Sequence, residues 1–253
     1  MAQVLCRVLC ELGKHPRGCC LQGPGAGSPQ DPDPVRKDSP ISVQEEPGYG
    51  PQGPPLLLLG PSRSGKSGLL FMAAVLAAEE GAGPVIFLSR DPLQKVPGTG
   101  RTARDPLTLK QIRFLYPATP EELLRQLSSL HLASPSPSFL LLDGLERYLP
   151  PCSGPAEGAH ISALLLDAAS HLRCGLVVSA VPPADGTEGP FMAVERYFPT
   201  RCQLYPEMTT DVEETAAAYN IAFSNYLPEW ILHVQEDGKL KIFPIKAQRP
   251  ADT

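Results

Sequence analysis

The stretch Pro54-Pro55-Leu56-Leu57-Leu58-Leu59-Gly60-Pro61-Ser62-Arg63-Ser64-Gly65-Lys66-Ser67 decides how the rest of the chain is read. Four consecutive leucines bounded by proline and glycine are too few for a helix and show no polar alternation. A strand covered on both faces has that pattern. The next eight residues, Gly60 to Ser67, fit G-x-x-x-x-G-K-[ST]. Glycines let a backbone curl until successive N–H groups point inward at phosphate oxygens, and a helix N-terminus behind the loop favours anions. Gly60, Pro61, Ser62, Arg63, Ser64, Gly65, Lys66 and Ser67 are therefore the expected phosphate cradle. Lys66 is expected at the β and γ phosphates of a nucleoside triphosphate, ATP, and the Ser67 hydroxyl on Mg²⁺.

Outward from this stretch, short apolar runs alternate with helix-length segments. Val85-Ile86-Phe87-Leu88, Phe139-Leu140-Leu141-Leu142 and Leu176-Val177-Val178 read as further buried strands. Segments 65–79, 106–115, 119–131 and 158–172 read as helices; in the last, Ile161, Leu165, Ala168 and Leu172 form one stripe. The fold class is α/β: a P-loop core with a mostly parallel sheet and helices on both faces. Asp237-Gly238, between Trp230–Val234 and Leu240–Phe243, predicts an antiparallel hairpin at the C-terminal end.

Phe139-Leu140-Leu141-Leu142-Asp143 puts a carboxylate at the carboxyl end of a buried strand, the place from which an aspartate holds Mg²⁺. Hydrolysis also needs a group that orients the attacking water. Two carboxylates compete for that role: Glu146, three residues past Asp143, and Asp91, just past the second strand. Each also has an ordinary reading, Glu146 as a solvated first-turn residue and Asp91 as a turn residue before Pro92.

The chain has 253 residues, 42% of them hydrophobic, and a net charge of −5, enough for one domain with loose segments. Its 30 prolines and 22 glycines exceed average usage without reaching low complexity. Residues 1–53 read as a disordered Pro/Gly-rich extension, 54–246 as the domain and 247–253 as a tail. No apolar run is long enough to span a bilayer, so a soluble protein is expected. Cys6, Cys10, His15, Cys19 and Cys20 lack paired metal-ligand spacing, and seven cysteines without paired spacing favour a reducing compartment. The acidic total excludes nonspecific coating of nucleic acid by the whole surface. A local patch is left: between residues 90 and 113, Arg90, Lys95, Arg101, Arg104, Lys110 and Arg113 face only Asp91 and Asp105. It is either a solvated basic face or a contact for a phosphate backbone.

The two phosphate-site elements, the following βα unit and the terminal hairpin resemble the RecA-type recombinase ATPases. Over Pro54–Gly60, Gly83–Leu88, Lys110–Phe114, Leu140–Glu146 and Arg196–Pro199 the chain is most similar to the small eukaryotic paralogues of the vertebrate Shu complex. The resemblance implies a RecA-like core and an ATPase stimulated by single-stranded DNA. It also implies support of recombinase filaments in homologous recombination repair, in the nucleus. Its implied partners are a SWIM-type zinc-finger protein in a stable heterodimer, the recombinase and its paralogues. By motif position it assigns Lys66 and Ser67 to phosphate and Mg²⁺, and Asp143 to Mg²⁺.

The chain departs from that pattern in two places. Recombinases carry a catalytic glutamate where this chain reads Leu88-Ser89-Arg90-Asp91, and a polar γ-phosphate sensor where it reads Ser179-Ala180. These losses imply slow hydrolysis, or an interaction scaffold that binds nucleotide with little turnover. Phe71-Met72-Ala73-Ala74 matches the F-x-x-A pattern by which recombinases dock on one another, but a helix apolar on nearly every face belongs in a core. A small-molecule P-loop kinase would need an arginine-bearing lid, and no clear one is present.

Overall fold

The computed structural model describes residues 5, 8, 9, 53–81, 83–93, 106–132, 134–149, 154–183, 189–207, 216–224 and 230–245. In chain order the elements are β1 (Leu56–Leu59), α1 (Lys66–Glu79), β2 (Val85–Ser89), α2 (Pro106–Lys110), β3 (Ile112–Leu115), α3 (Pro120–Ser129) and a 3-10 turn (Leu130–Leu132). There follow β4 (Phe139–Asp143), a second 3-10 turn (Leu145–Tyr148), α4 (Pro155–Leu172), β5 (Gly175–Ala180), α5 (Pro190–Tyr197), β6 (Thr200–Pro206), β7 (Ala216–Phe223), β8 (Trp230–Gln235) and β9 (Leu240–Pro244).

The nine strands among the described residues join one sheet in the order β3-β2-β4-β5-β1-β6-β7-β8-β9. From β3 to β6 every pairing is parallel; β6-β7, β7-β8 and β8-β9 are antiparallel. The central strands read as unbroken apolar runs because both faces are covered. On one face Leu56, Leu58, Phe87, Leu141 and Val177 pack with α1 and with the inward residues of β6–β9. On the other, Leu57, Leu59, Leu88, Leu142 and Val178 pack under α3, α4 and α5. The α4–α5 contact is tight: a Cβ added to Gly158 would lie 2.0 Å from the Pro190 carbonyl oxygen.

The fold class and the hairpin at Asp237-Gly238 agree with the sequence reading. Segment 106–115 does not hold as one helix. Only Pro106–Lys110 is helical, and Ile112–Leu115 forms β3, the edge strand beside β2. Ile112 and Phe114, two residues apart, turn to the α1 side, where the Phe114 ring lies beside Phe71 and Phe87.

The N-terminal extension needs correction too. Leu5, Val8 and Leu9 are helical, at most 1% exposed, and part of the core on the α1 side. Their i, i+3, i+4 spacing is that of one helix face. It also accounts for α1, which is buried on nearly all sides from Lys66 to Ala78. Phe71, the F-x-x-A phenylalanine, is 3% exposed and serves packing. Apart from Gly53, the rest of the extension and the 247–253 tail lie outside the described residues.

Candidate functional site

The phosphate loop leaves β1 at the carboxyl end of the sheet, between β5 and β6, and runs into α1. Gly60 N donates to Ala180 O at 3.3 Å, tying the start of the loop to β5. Arg63 and Gly65 both take left-handed backbone, φ 61° and 84°, which is how a short loop turns its N–H groups to one side. Gly65 is also the position where the loop leans on the C-terminal strands. A Cβ there would meet Leu240 at 3.0 Å and Val234 at 3.1 Å. Leu69 N donates to Gly65 O at 3.0 Å, the first turn of the helix behind the loop.

Lys66 is 7% exposed. Its Nζ donates to Gly60 O at 2.8 Å, to Pro61 O at 2.7 Å and to Ser64 Oγ at 3.4 Å. The ammonium thus lies inside the curve of the loop, where anion oxygens would compete with those carbonyls. Burial holds its pKa below the ordinary lysine value, and the negative charges of Glu146 and then Asp143 pull in the opposite direction. Three of the predicted residues therefore share one electrostatic environment.

Asp143 ends β4, in register with Ser89 of β2. Its Oδ1 accepts from Ser179 Oγ at 2.6 Å, and the same Ser179 oxygen accepts from Gly144 N at 3.0 Å. Glu146 sits half-buried in the turn after β4, where its Oε2 accepts from Val181 N at 3.0 Å. The end of β5 thus holds both carboxylates.

Asp91 is placed differently. Its carboxylate pairs with Arg147, its side chain is 65% exposed, and Ser89 Oγ donates to its backbone oxygen at 2.9 Å. Arg90 donates to Arg147 O at 3.4 Å. Of the two competing carboxylates, only Glu146 joins Lys66 and Asp143 through an interaction on the described residues; Asp91 is committed to a surface arginine. Arg90, Lys110 and Arg113 of the basic segment are exposed, while Lys95, Arg101 and Arg104 lie outside the described residues, as do Cys6, Cys10, His15, Cys19 and Cys20. No cluster of metal-ligating side chains occurs among the described residues, and no described helix is long and apolar enough to cross a membrane.

Sequence reasoning missed Ser179 as a contact of Asp143. The available signal was a hydroxyl in the otherwise apolar run Leu176-Val177-Val178-Ser179-Ala180. It also missed Leu232, Val234 and Leu240 behind Gly65, for which local sequence offers no signal.

The donor set suits a nucleoside triphosphate with a hard divalent cation: an N–H-lined loop, a buried ammonium, and hydroxyl and carboxylate oxygens rather than thiols or imidazoles. No protein-family model matches the chain. Among solved structures, it is similar to a DnaB-like replicative helicase studied with its interactions with primase. The TM-score is 0.51 at 11% identity, covering 77% of this chain and 58% of that one, so this chain spans under two thirds of the helicase. That likeness shows the fold, a RecA-like core. Among curated proteins, the human protein named ATPase SWSAP1 is 44% identical over 210 residues, covering 78% of this chain and 91% of the relative. The mouse protein of the same name is 40% identical over 212 residues, covering 79% and 76%. Identity at this level across most of both lengths, on a RecA-like core with its phosphate loop in place, shows that the chain belongs to the ATPase SWSAP1 family.

Proposed function

We propose that the chain binds ATP with Mg²⁺ at the Gly60–Ser67 loop and hydrolyses it slowly. We further propose that single-stranded DNA stimulates this turnover, and that the protein supports recombinase filaments in homologous recombination repair in the nucleus. Its expected partners are a SWIM-type zinc-finger protein, held as a heterodimer, and the recombinase with its paralogues. The observation that carries the ATPase part is the convergence of Lys66, Asp143 and Glu146 at the carboxyl end of the sheet, on a chain of the SWSAP1 family.

In this reading the loop N–H groups and the Lys66 ammonium hold the β and γ phosphates. The Ser67 hydroxyl and the Asp143 carboxylate would hold the Mg²⁺, which would supply positive charge against the phosphate oxygens. Glu146, kept in place by Val181 N, orients the attacking water and takes over the role that the family pattern assigns to a carboxylate after β2. The buried Lys66 enters with its loop carbonyls as partners and exchanges them for phosphate oxygens.

The test is steady-state ATP hydrolysis by the purified chain, with and without single-stranded DNA, using Lys66→Ala as the blank. Turnover that rises with DNA and vanishes in the variant supports the proposal. Turnover unchanged by Lys66→Ala places the activity elsewhere and overturns it.

A second reading has its own observation. Asp91 is paired with Arg147, and Ser179, at the expected γ-phosphate sensor, is turned to Asp143. A protein with these groups committed elsewhere would use nucleotide mainly to stabilise itself and a partner interface. Ligand bound only to the native state adds RT ln(1 + [L]/Kd), about 2.7 kcal/mol at a hundredfold excess over Kd. ATP raising the melting temperature without measurable turnover would favour this scaffold. No thermal shift with ATP would remove it.

A further inference from the structure

We infer that Ser179 is the positioning residue of the metal site, a hydroxyl whose one proton fixes the Asp143 carboxylate for Mg²⁺. The inference rests on the reading of Asp143 as the residue that holds the cation.

Register places the residue. In β5, Val177 and Val178 pair with Leu56 and Leu57 of β1 on one side, and with Leu141 and Leu142 of β4 on the other. Ser179 follows one step later, paired with Leu58 of the strand that launches the phosphate loop and level with Asp143 on β4. Side chains alternate along a strand, so Ser179 shares the face of Val177, and Asp143 that of Leu141. This is the face covered by α1, the helix that begins at the phosphate loop. Ser179 therefore stands between the loop-bearing strand and the acidic one.

Burial makes the hydroxyl informative. Ser179 is 0% exposed, and a hydroxyl taken out of water without a partner is costly. Alanine would fill the strand position without that cost, so the oxygen needs a use. Its two bonds define one. The oxygen accepts from Gly144 N at 3.0 Å, which leaves its own hydrogen for Asp143 Oδ1 at 2.6 Å. Because a hydroxyl carries a single hydrogen, this geometry fixes its direction. One carboxylate oxygen is engaged from the β5 side and the other is left for a cation or its water. Ser89, the hydroxyl across from Asp143 on β2, is also buried but donates to Asp91 O. Of the two hydroxyls flanking Asp143, only Ser179 holds it.

Residues that orient a metal-holding carboxylate through a hydrogen bond change metal affinity by about 10- to 100-fold when removed. The consequence at this site is specific: loss of the Ser179 hydroxyl weakens the Mg²⁺-dependent part of nucleotide binding and spares the part made by the loop and Lys66. Two bonds at the carboxyl end of β5 then have separate jobs, with Ser179 acting on the metal carboxylate and Val181 N, one residue past the strand, on Glu146.

The experiment titrates Mg²⁺ into the full chain with a fluorescent ATP analogue, reading the cation concentration for half-maximal binding and, separately, the affinity in EDTA. Variants are Ser179→Ala, the near-isosteric Ser179→Cys, Asp143→Asn and the Ser179→Ala/Asp143→Asn double variant. The expected result is a shift of about tenfold or more in Mg²⁺ requirement for Ser179→Ala. EDTA affinity and the ligand-free melting curve of Ser179→Cys should match wild type while its Mg²⁺ requirement still rises. In the Asp143→Asn background, Ser179→Ala should add nothing, since it acts through that carboxylate. A normal Mg²⁺ requirement in both Ser179 variants, with Asp143→Asn impaired, overturns the inference and leaves the metal reading standing. If Asp143→Asn itself binds Mg²⁺ and nucleotide as wild type does, the reading of Asp143 falls and the inference falls with it.

Discussion

Lys66 is the residue on which most of the site depends, and its surroundings set a sign for pH. Burial favours its neutral form, so between the depressed folded pKa and the ordinary lysine value the unfolded chain binds more protons than the folded one. Fold stability from this group therefore rises with pH across that window and is reduced below it, where the buried amine is charged. Nucleotide has the opposite preference, because phosphates favour the ammonium, and binding takes up a proton in the same window. ATP affinity should fall as pH rises through the depressed pKa. Lys66→Arg, charged throughout, should flatten that profile in a pH series of binding titrations. Hydrogen bonds to charged groups contribute roughly 1.5–3 kcal/mol, so Lys66→Ala should weaken ATP binding about 10- to 150-fold, measurable by calorimetry. The two competing carboxylates separate by kinetics. Glu146→Gln should lower kcat about 100-fold or more with little change in nucleotide affinity. Asp91→Asn, on a half-exposed surface pair, should change kcat by less than about threefold.

At the scale of elements, sequence showed those whose signal is local and missed those whose role depends on distant partners. The leucine run of β1, the phosphate loop and the acidic end of β4 could be read because each is a short pattern with a chemical reason. Segment 106–115 could not, since Ile112–Leu115 becomes a strand only by pairing with β2. Likewise, Leu5, Val8 and Leu9 precede Gly13, the first glycine. The glycines and prolines that suggest disorder all lie between 13 and 53, and they mask the helical spacing of Val4, Leu5, Val8, Leu9 and Leu12 only when the extension is read as one segment. The burial of Leu5, Val8 and Leu9 beside α1 gives a test. Leu9→Ala should cost about 2–5 kcal/mol, the range for removing a fully buried leucine, and lower the melting temperature by roughly 5–15 °C. A scanning-calorimetry trace matching wild type would detach the segment from the core. The α4–α5 contact gives a sharper one: Gly158→Ala places a methyl 2.0 Å from a backbone oxygen, so the helices must part. The expected loss is about 1–3 kcal/mol, read as a shift in urea midpoint.

For the molecule as a whole, the sheet sorts its labours by strand direction. The parallel half, β3 to β6, ends its strands at one edge, and Gly60, Ser89, Asp143 and Ser179 all lie along that edge. Among the described residues, the antiparallel half brings no polar residue to the site and supplies bulk. Half of that arrangement follows from the sequence alone, since buried βα alternation dictates a parallel sheet and parallel sheets bind at their carboxyl ends. The other half, which side chains converge, had to come from register. Ser179 and Glu146 are separated from their partners by 36 and 35 positions respectively, and nothing local announces either bond.

Gly65 rests against Leu232, Val234 and Leu240, on the last strands of the domain to be synthesised. On a ribosome, every residue that a motif search would score has emerged long before the support behind the loop exists. A chain cut short before β8 would keep the whole nucleotide signature in its sequence and lack the wall that shapes it. Competence to hold ATP would arrive late and all at once, when the hairpin closes, so that nucleotide capture by a nascent chain reports completion of the domain rather than presence of its motif.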